Sequence, residues 1–230
     1  MRAKLKARFP FMVPWWRPIL YFNLHGKSSE RIFKDIYRLN KWSDEESRSG
    51  YGSNTSQTAA IRAALPLLLD EIKCGSLLDI PCGDFNWMSR IQLNADYIGA
   101  DIVDELIEKN SRVYQCEGRS FEKLDLISDP LPRVDVVLCR DCLVHFSLPD
   151  SLKAISNIKR SGASYLLATT FIGRKTNEYI PTGGWRPINL EKPPFDLPPP
   201  VRLIDERCPM RDYADKRLGL WRVADLPDFE

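Results

Sequence analysis

From residue 76 onward the chain alternates short apolar runs with amphipathic stretches. The runs are SLLDI at 76–80, ADYIGADI at 95–102, VDVVLC at 134–139 and SYLLATTF at 164–171. Each is apolar on both faces, as strands covered on both sides require. The segments at 105–114 and 149–160 have helical spacing, and a helix is expected to start near Asn86, after the first run. Strands alternating with helices predict a parallel sheet with crossover connections. Upstream, RIFKDIYRLN at 31–40 predicts a short helix. The polar stretch SDEESRSGYGSNTSQ at 43–57 predicts a loop, in which Ser53 or Thr55 is placed to cap the helix read from TAAIRAALPLLLDEIK at 58–73. Pro66 marks a kink or boundary within it. After Phe171 the alternation stops, and 174–200 is too rich in Pro and Gly for a regular helix. VRLIDERC at 201–208 and LGLWRVADL at 218–226 then read as two strands close enough to pair as an antiparallel hairpin at the sheet edge.

The expected fold is therefore α/β: a Rossmann-like, doubly wound, mostly parallel sheet of seven strands with a C-terminal antiparallel hairpin strand. Residues 1–55 form an arm and covering segment, and 56–230 form one domain. A chain of 230 residues is long enough to bury a sizeable core. The formal charge of +2 supplies no strong field toward nucleic acid or lipid, so no nucleic-acid partner is expected. The aromatic stretch FPFMVPWWRPILYF at 9–22 is too short to span a bilayer and contains three prolines. It either packs on the domain or touches a membrane interface or partner. It lacks the features of a secretion signal, and a cytoplasmic setting is expected. Cys139 and Cys142 have C-x-x-C spacing, but no second ligand pair lies at zinc-site distance, so no metal site is expected. The six cysteines read as reduced structural thiols.

The chemistry concentrates in LLDIPCGDFNW at 77–87. An acid ends a strand, and a tight turn at Gly83 follows where a doubly wound sheet binds its ligands. The segment resembles the cofactor-binding motif of class I (Rossmann-fold) S-adenosylmethionine-dependent methyltransferases, acid-x-G-x-G-x-G. Pro81 and Phe85 stand at the outer glycine positions, Cys82 between, and only Gly83 matches fully. YIGADI places Asp101 at the end of the second strand, about twenty residues on, where an acid accepts from ribose hydroxyls. FEKLDLISDPLP places Leu124 and Asp125 where the family commonly sets a polar side chain near the adenine. RVDVVLCRDCLVHF resembles the family's fourth strand and the loop that passes the cofactor's methionine part. The resemblance implies a cofactor-binding set of Asp79, Pro81, Cys82, Gly83, Asp84, Asp101, Ile102, Leu124, Asp125 and Arg140. The nicotinamide alternative needs G-x-G-x-x-G for a pyrophosphate. Asp84 would repel a pyrophosphate, whereas acids around the turn favour a sulfonium.

Transfer to a hydroxyl requires removal of its proton. His145 follows the fourth strand and titrates near neutral pH. Asp141, four residues earlier, shares its face if the loop is helical, and either orients His145 or contacts the cofactor. His145 either accepts the proton or packs over the adenosyl pocket. His25, in the arm, reads as a surface residue. No N/D-P-P-Y/F motif follows the fourth strand, and no Pro-Cys nucleophile stands outside the cofactor turn, which argues against amide and cytosine acceptors. The segment 182–200 reads as a substrate loop or a structural cover. Trp185, Arg186, Asn189 and Phe195 suit a small polar acceptor such as a sugar or glycoconjugate. The loop at 43–57 can close over the cofactor, with Gly50 and Gly52 allowing movement, or act as a plain connector. A non-catalytic binding subunit of the same fold is the alternative function.

Overall fold

The computed structural model describes Leu24 and residues 26–229. The aromatic stretch at 9–22 and His25 lie outside the described residues. Seven strands run β1 (Ser76–Asp79), β2 (Asp96–Asp101), β3 (Arg119–Lys123), β4 (Val136–Cys139), β5 (Tyr165–Phe171), β6 (Arg202–Asp205) and β7 (Lys216–Arg222). They form one sheet in the order β3-β2-β1-β4-β5-β7-β6. The first five are parallel, and β7 is antiparallel to both β5 and β6. This is the doubly wound sheet that the alternating runs predict, with its terminal hairpin inserted so that β7 lies beside β5. The strand order reverses between β1 and β4, so the switch point sits at their carboxyl ends.

Among the described residues, four α-helices accompany the sheet: α1 (Ser29–Arg38), α2 (Ala59–Glu71), α3 (Asp104–Tyr114) and α4 (Leu148–Arg160). Helix α4 starts on Ser147, whose hydroxyl accepts from the Asp150 amide at 3.2 Å, with Pro in its first turn. One face of the sheet packs Ile61, Leu65 and Leu69 of α2 with Ile107 of α3. The other packs Ala154, Ile155 and Ile158 of α4 with Ile188, Leu190, Phe195 and Leu197 of the 174–200 segment. That segment contains no helix or strand, as its prolines require. No helix among the described residues is long and apolar enough to cross a membrane.

Three local expectations are corrected. Helix α2 begins at Ala59, not after Ser53 or Thr55. The reason is Asn54, whose side chain accepts from the Gln57 amide at 2.9 Å and holds the preceding turn. Pro66 is not a boundary, since α2 continues through it to Glu71. No α-helix starts near Asn86; one short 3-10 turn, Met88–Arg90, stands there. Phe85 and Trp87 are both buried. Two positions apart, they would project to opposite sides of a helix, so irregular chain is what lets both reach the core. Phe85 adopts φ +59, a left-handed conformation, at the position of the motif's third glycine. Its ring packs on Tyr97, Tyr114 and Phe121.

Candidate functional site

The carboxyl ends of the parallel strands carry a row of charged groups: Asp101 on β2, Asp79 on β1, and Arg140 and Asp141 after β4. The hairpin adds Glu206 and Lys216, because β6 ends and β7 begins at this same edge. Helix α1 lies across part of the edge. Lys34 pairs with Asp104 at 2.8 Å, Lys123 pairs with Glu30 at 2.6 Å, Arg38 pairs with Glu105, and the ring of Phe33 meets that of Phe146. The segment 43–57 continues this roof.

The turn after β1 is held from below. Its Cys82 amide donates to the Ala100 carbonyl at 2.8 Å. The Gly83 amide donates to Asp101 Oδ2 at 3.2 Å, while Asp101 Oδ1 accepts from the Val103 amide at 2.9 Å. Gly83 has φ +55, and a Cβ there would lie 2.2 Å from Ser49 Oγ. Glycine is thus required twice, by backbone conformation and by the close approach of the roof. Burial pushes the Asp101 carboxyl up to about 6 against the amides that favour its ionised form. Pro81, Ile102, Leu124 and Asp125 are half-buried around this turn. Asp125 Oδ1 accepts from the Ile127 amide at 2.9 Å.

Asp79, at the end of β1, is engaged within the protein. It is buried, and Tyr97 donates to its Oδ2 at 2.6 Å. Burial pushes its carboxyl up to about 7. The folded chain therefore holds this proton more tightly than the unfolded chain, whose Asp titrates near 3.9. Its contribution to stability is complete below about pH 4 and is lost as pH rises through about 7. Asp79→Asn, neutral throughout, is expected to gain on the parent protein across that window, by up to about 1.4 kcal/mol per pH unit. Urea unfolding at pH 4.5, 6 and 8 checks this, and a constant difference between the two proteins contradicts it.

Asp84 and Arg140 are committed to the roof. Asp84 accepts from the hydroxyls of Ser47 and Ser49 and from the Arg48 amide, at 2.8–3.2 Å. Its own amide donates to Ser49 Oγ at 2.9 Å. Arg140 is buried, donates to Glu206 Oε2 at 2.6 Å and to the Gly52 carbonyl at 2.9 Å, and lies over the Trp87 ring. With the roof down, both side chains are engaged within the protein. The physical cause is the Ser-rich loop, which supplies donors to the one and a carbonyl to the other.

Asp141 has φ +51 and is followed by the short turn Leu143–His145, so no helix aligns it with His145. Burial opposes its charge, but the Lys216 ammonium at 2.7 Å and the Arg140 guanidinium at 3.3 Å outweigh this. They hold its carboxyl well below the usual range. The group that orients His145 is instead the Gly184 carbonyl, 2.8 Å from Nδ1. A carbonyl only accepts, so Nδ1 carries the hydrogen and Nε2 keeps a lone pair. Burial lowers the affinity of the ring for a second proton. Trp42 packs on the ring at 5.0 Å between centroids.

In the 174–200 segment, Trp185 is half-buried with its ring edge-on to Phe171 and Tyr213. Arg186 is fully buried and donates to the Phe146 carbonyl at 2.8 Å. Asn189 is buried and donates to the Arg174 carbonyl at 2.9 Å. Phe195 is a core residue. The side chains of Arg186 and Asn189 thus brace the segment, and the expected acceptor surface reduces to Trp185.

The sequence reading missed Glu206, Lys216, Asn110, Trp42 and Ser49. Glu206 and Lys216 reach the edge only because the hairpin folds back beside β5, and no local pattern signals that. A cavity of about 370 Å³ opens at the opposite edge, lined by Gly75, Asp96, Gly118 and Arg119 among others. It contains none of the strand-end acids.

Comparison with solved structures follows this geometry. The structure titled PigF with SAH matches with a TM-score of 0.58 at 14% identity, over 83% of this chain and 62% of that one. The [4+2]-cyclase SpnF matches with a TM-score of 0.50 at 18% identity, over 72% of this chain and 70% of that one. Human N-acetylserotonin methyltransferase in complex with SAM matches with a TM-score of 0.47 at 18% identity, over 66% of this chain and 44% of that one. The chain has the class I methyltransferase fold. It spans less than half of the human enzyme's length and under two thirds of PigF's. At these identities the likeness is one of fold. No protein-family model matches the sequence, and no curated protein is significantly similar to it.

Proposed function

We propose that this chain is an S-adenosylmethionine-dependent methyltransferase that acts on a hydroxyl of a small polar acceptor, with sugars the leading class. The observation that carries the reading is the Gly83 turn locked to Asp101 at the switch point, beneath a roof built from 43–57. The donor set fits the cofactor. Asp101 offers further lone pairs to ribose hydroxyls, and Asp125, Ile102 and Leu124 flank the place for an adenine. The turn offers no Lys or Arg to a pyrophosphate. Gly83 presents bare backbone whose facing space is taken by the Ser49 hydroxyl, a polar place that a ligand would claim once Ser49 moves away. When bound, the cofactor supplies an activated methyl group.

The protein's own part is positional. Ser49 occupies the space above Gly83 in this structure, so 43–57 lifts to admit the cofactor and returns over it, releasing Asp84 and Arg140 in the open state. His145, neutral and with Nε2 as acceptor, takes the proton from the attacking hydroxyl. Trp185 gives the acceptor an aromatic wall. The six free cysteines support a cytoplasmic setting. A second reading, a cofactor-binding subunit without turnover, is favoured by one observation: the Ser49 hydroxyl already fills the Gly83 cradle. The fold itself does not decide between them.

The test is production of S-adenosylhomocysteine by the isolated chain against a panel of hydroxylated acceptors, with amide hydrogen exchange followed on 43–57. Acceptor-dependent product, and slower exchange in that segment when S-adenosylhomocysteine is bound, are expected. Slower exchange without product on any acceptor supports the binding subunit. Exchange that ignores the cofactor contradicts the lid.

A further inference from the structure

Asn110 sits on the inward side of α3 with none of its surface exposed. Its Nδ2 donates to the Gly83 carbonyl at 2.8 Å and lies 3.8 Å from Cys82 Sγ. Its Oδ1 is buried with no hydrogen-bond partner among the described residues. A buried amide with an unpaired oxygen costs stability, and an apolar group of the same shape would avoid that cost. The polar side chain is thus kept for its nitrogen, the partner of the buried Gly83 carbonyl, and fixes the direction of that carbonyl.

The peptide between Gly83 and Asp84 is trans, so its carbonyl and its N–H point in opposite directions. With the carbonyl drawn down to Asn110, the Asp84 N–H is turned outward from the sheet edge. In this structure that N–H is taken by Ser49 Oγ at 2.9 Å, an oxygen supplied by the roof. The Gly83 N–H is meanwhile spent on Asp101. The turn thus has one outward-facing donor, and Asn110 sets its direction.

We infer that Asn110 is a positioning residue that aims the Asp84 backbone N–H at the amino-acid end of the bound cofactor, with Ser49 Oγ marking where that ligand's acceptor oxygen would sit, while the ligand's ammonium takes over the donation that the Ser49 hydroxyl makes to Asp84 Oδ1. The inference rests on the cofactor reading above. It divides the site by chemistry. Asp101 and Asp125 serve the nucleoside, while the Asn110-directed peptide serves the carboxylate. A ligand that keeps the nucleoside and lacks the amino-acid part should ignore Asn110.

The experiment titrates S-adenosylhomocysteine and 5′-methylthioadenosine into the parent protein, Asn110→Leu and Asn110→Asp, with thermal unfolding measured alongside. Leu keeps the volume and removes both the donor and the unpaired oxygen. Asp keeps the shape and presents a second acceptor to the Gly83 carbonyl. Affinity for S-adenosylhomocysteine is expected to fall about tenfold or more in both variants. Affinity for 5′-methylthioadenosine should stay within about twofold, while Asn110→Leu, which leaves the Gly83 carbonyl unpaired, should unfold somewhat earlier than the parent. If Asn110→Leu does not fold, Asn110→Asp carries the comparison. Equal weakening toward both ligands, or no weakening toward either, overturns the positioning role. Failure of the parent protein to bind either ligand overturns the cofactor reading itself, and the two failures are thereby told apart.

Discussion

Asp101→Ala is expected to weaken binding of S-adenosylmethionine and of its demethylated product by about 100-fold or more. The carboxylate is 5% exposed and already orders two backbone amides, those of Gly83 and Val103. Its loss strips both amides of their acceptor and removes the charged acceptor for the ribose. Hydrogen bonds to a charged group contribute about 1.5–3 kcal/mol each, and an unpaired buried donor costs about 1–3 kcal/mol. The stripped amides cost the free and the bound protein alike, so the affinity change comes from the ribose: two hydroxyl hydrogen bonds to the charged acceptor, at about 1.5–3 kcal/mol each, exceed the roughly 2.8 kcal/mol that a 100-fold change requires. The same substitution should lower folding stability, because the turn loses its anchor in the free protein too. Asp101→Asn keeps one acceptor oxygen and should fall between the two. Because burial raises the Asp101 carboxyl to about 6, the ionised form that serves the ribose is lost as pH falls through that value. Affinity is therefore expected to strengthen from pH 5 to pH 8 in the parent protein, and to lose most of that dependence in Asp101→Asn. A titration series in which Asp101→Ala binds within threefold of the parent would remove Asp101 from the site.

The second large effect belongs to His145. With Nδ1 donating to Gly184 and burial disfavouring a second proton, the ring is a neutral base with a fixed tautomer. His145→Gln can still donate to the Gly184 carbonyl, so the 3-10 turn and the contact with the 174–200 segment should survive. It cannot accept a proton at neutral pH. On an acceptor that turns over, kcat is expected to fall by about 10²–10⁴-fold while the cofactor dissociation constant stays nearly unchanged. Retention of kcat in His145→Gln, with cofactor binding intact, would assign the ring to packing under Trp42. A parallel loss of kcat and cofactor affinity would assign it to the adenosyl pocket.

The sheet was legible because parallel strands buried on both faces leave continuous apolar runs, as VDVVLC and SYLLATTF do. The hairpin was legible because 201–208 and 218–226 are too close to need a crossover. What could not be read depends on distances between segments remote in sequence. Asp84 looks like a free acid in the motif, yet 43–57 folds onto it with two serines and an amide. Arg140 looks like a cofactor residue, yet its charge is met by Glu206, 66 residues later. Breaking such a buried pair by removing one partner costs about 3–5 kcal/mol, so Arg140 holds the edge together before it does anything else. Asn110 carries no signal in a helix pattern except that it is a polar residue on the buried face. Phe85 misled in the other direction. Its mismatch to the motif's third glycine weakened the likeness, yet it keeps the left-handed backbone that the position demands and uses its ring to fill space left by an absent helix. The 174–200 segment was read correctly as irregular. Its buried Ile188, Leu190 and Phe195 make it part of the core cover, and its Arg and Asn side chains turn inward to brace it.

The most direct test of the account is calorimetric titration of the isolated chain with S-adenosylmethionine and S-adenosylhomocysteine at pH 7.5. One-site binding of both is predicted, with affinity lost in Asp101→Ala. No heat of binding for either ligand at millimolar concentration would contradict the assignment of the Gly83 turn and Asp101 to a cofactor site.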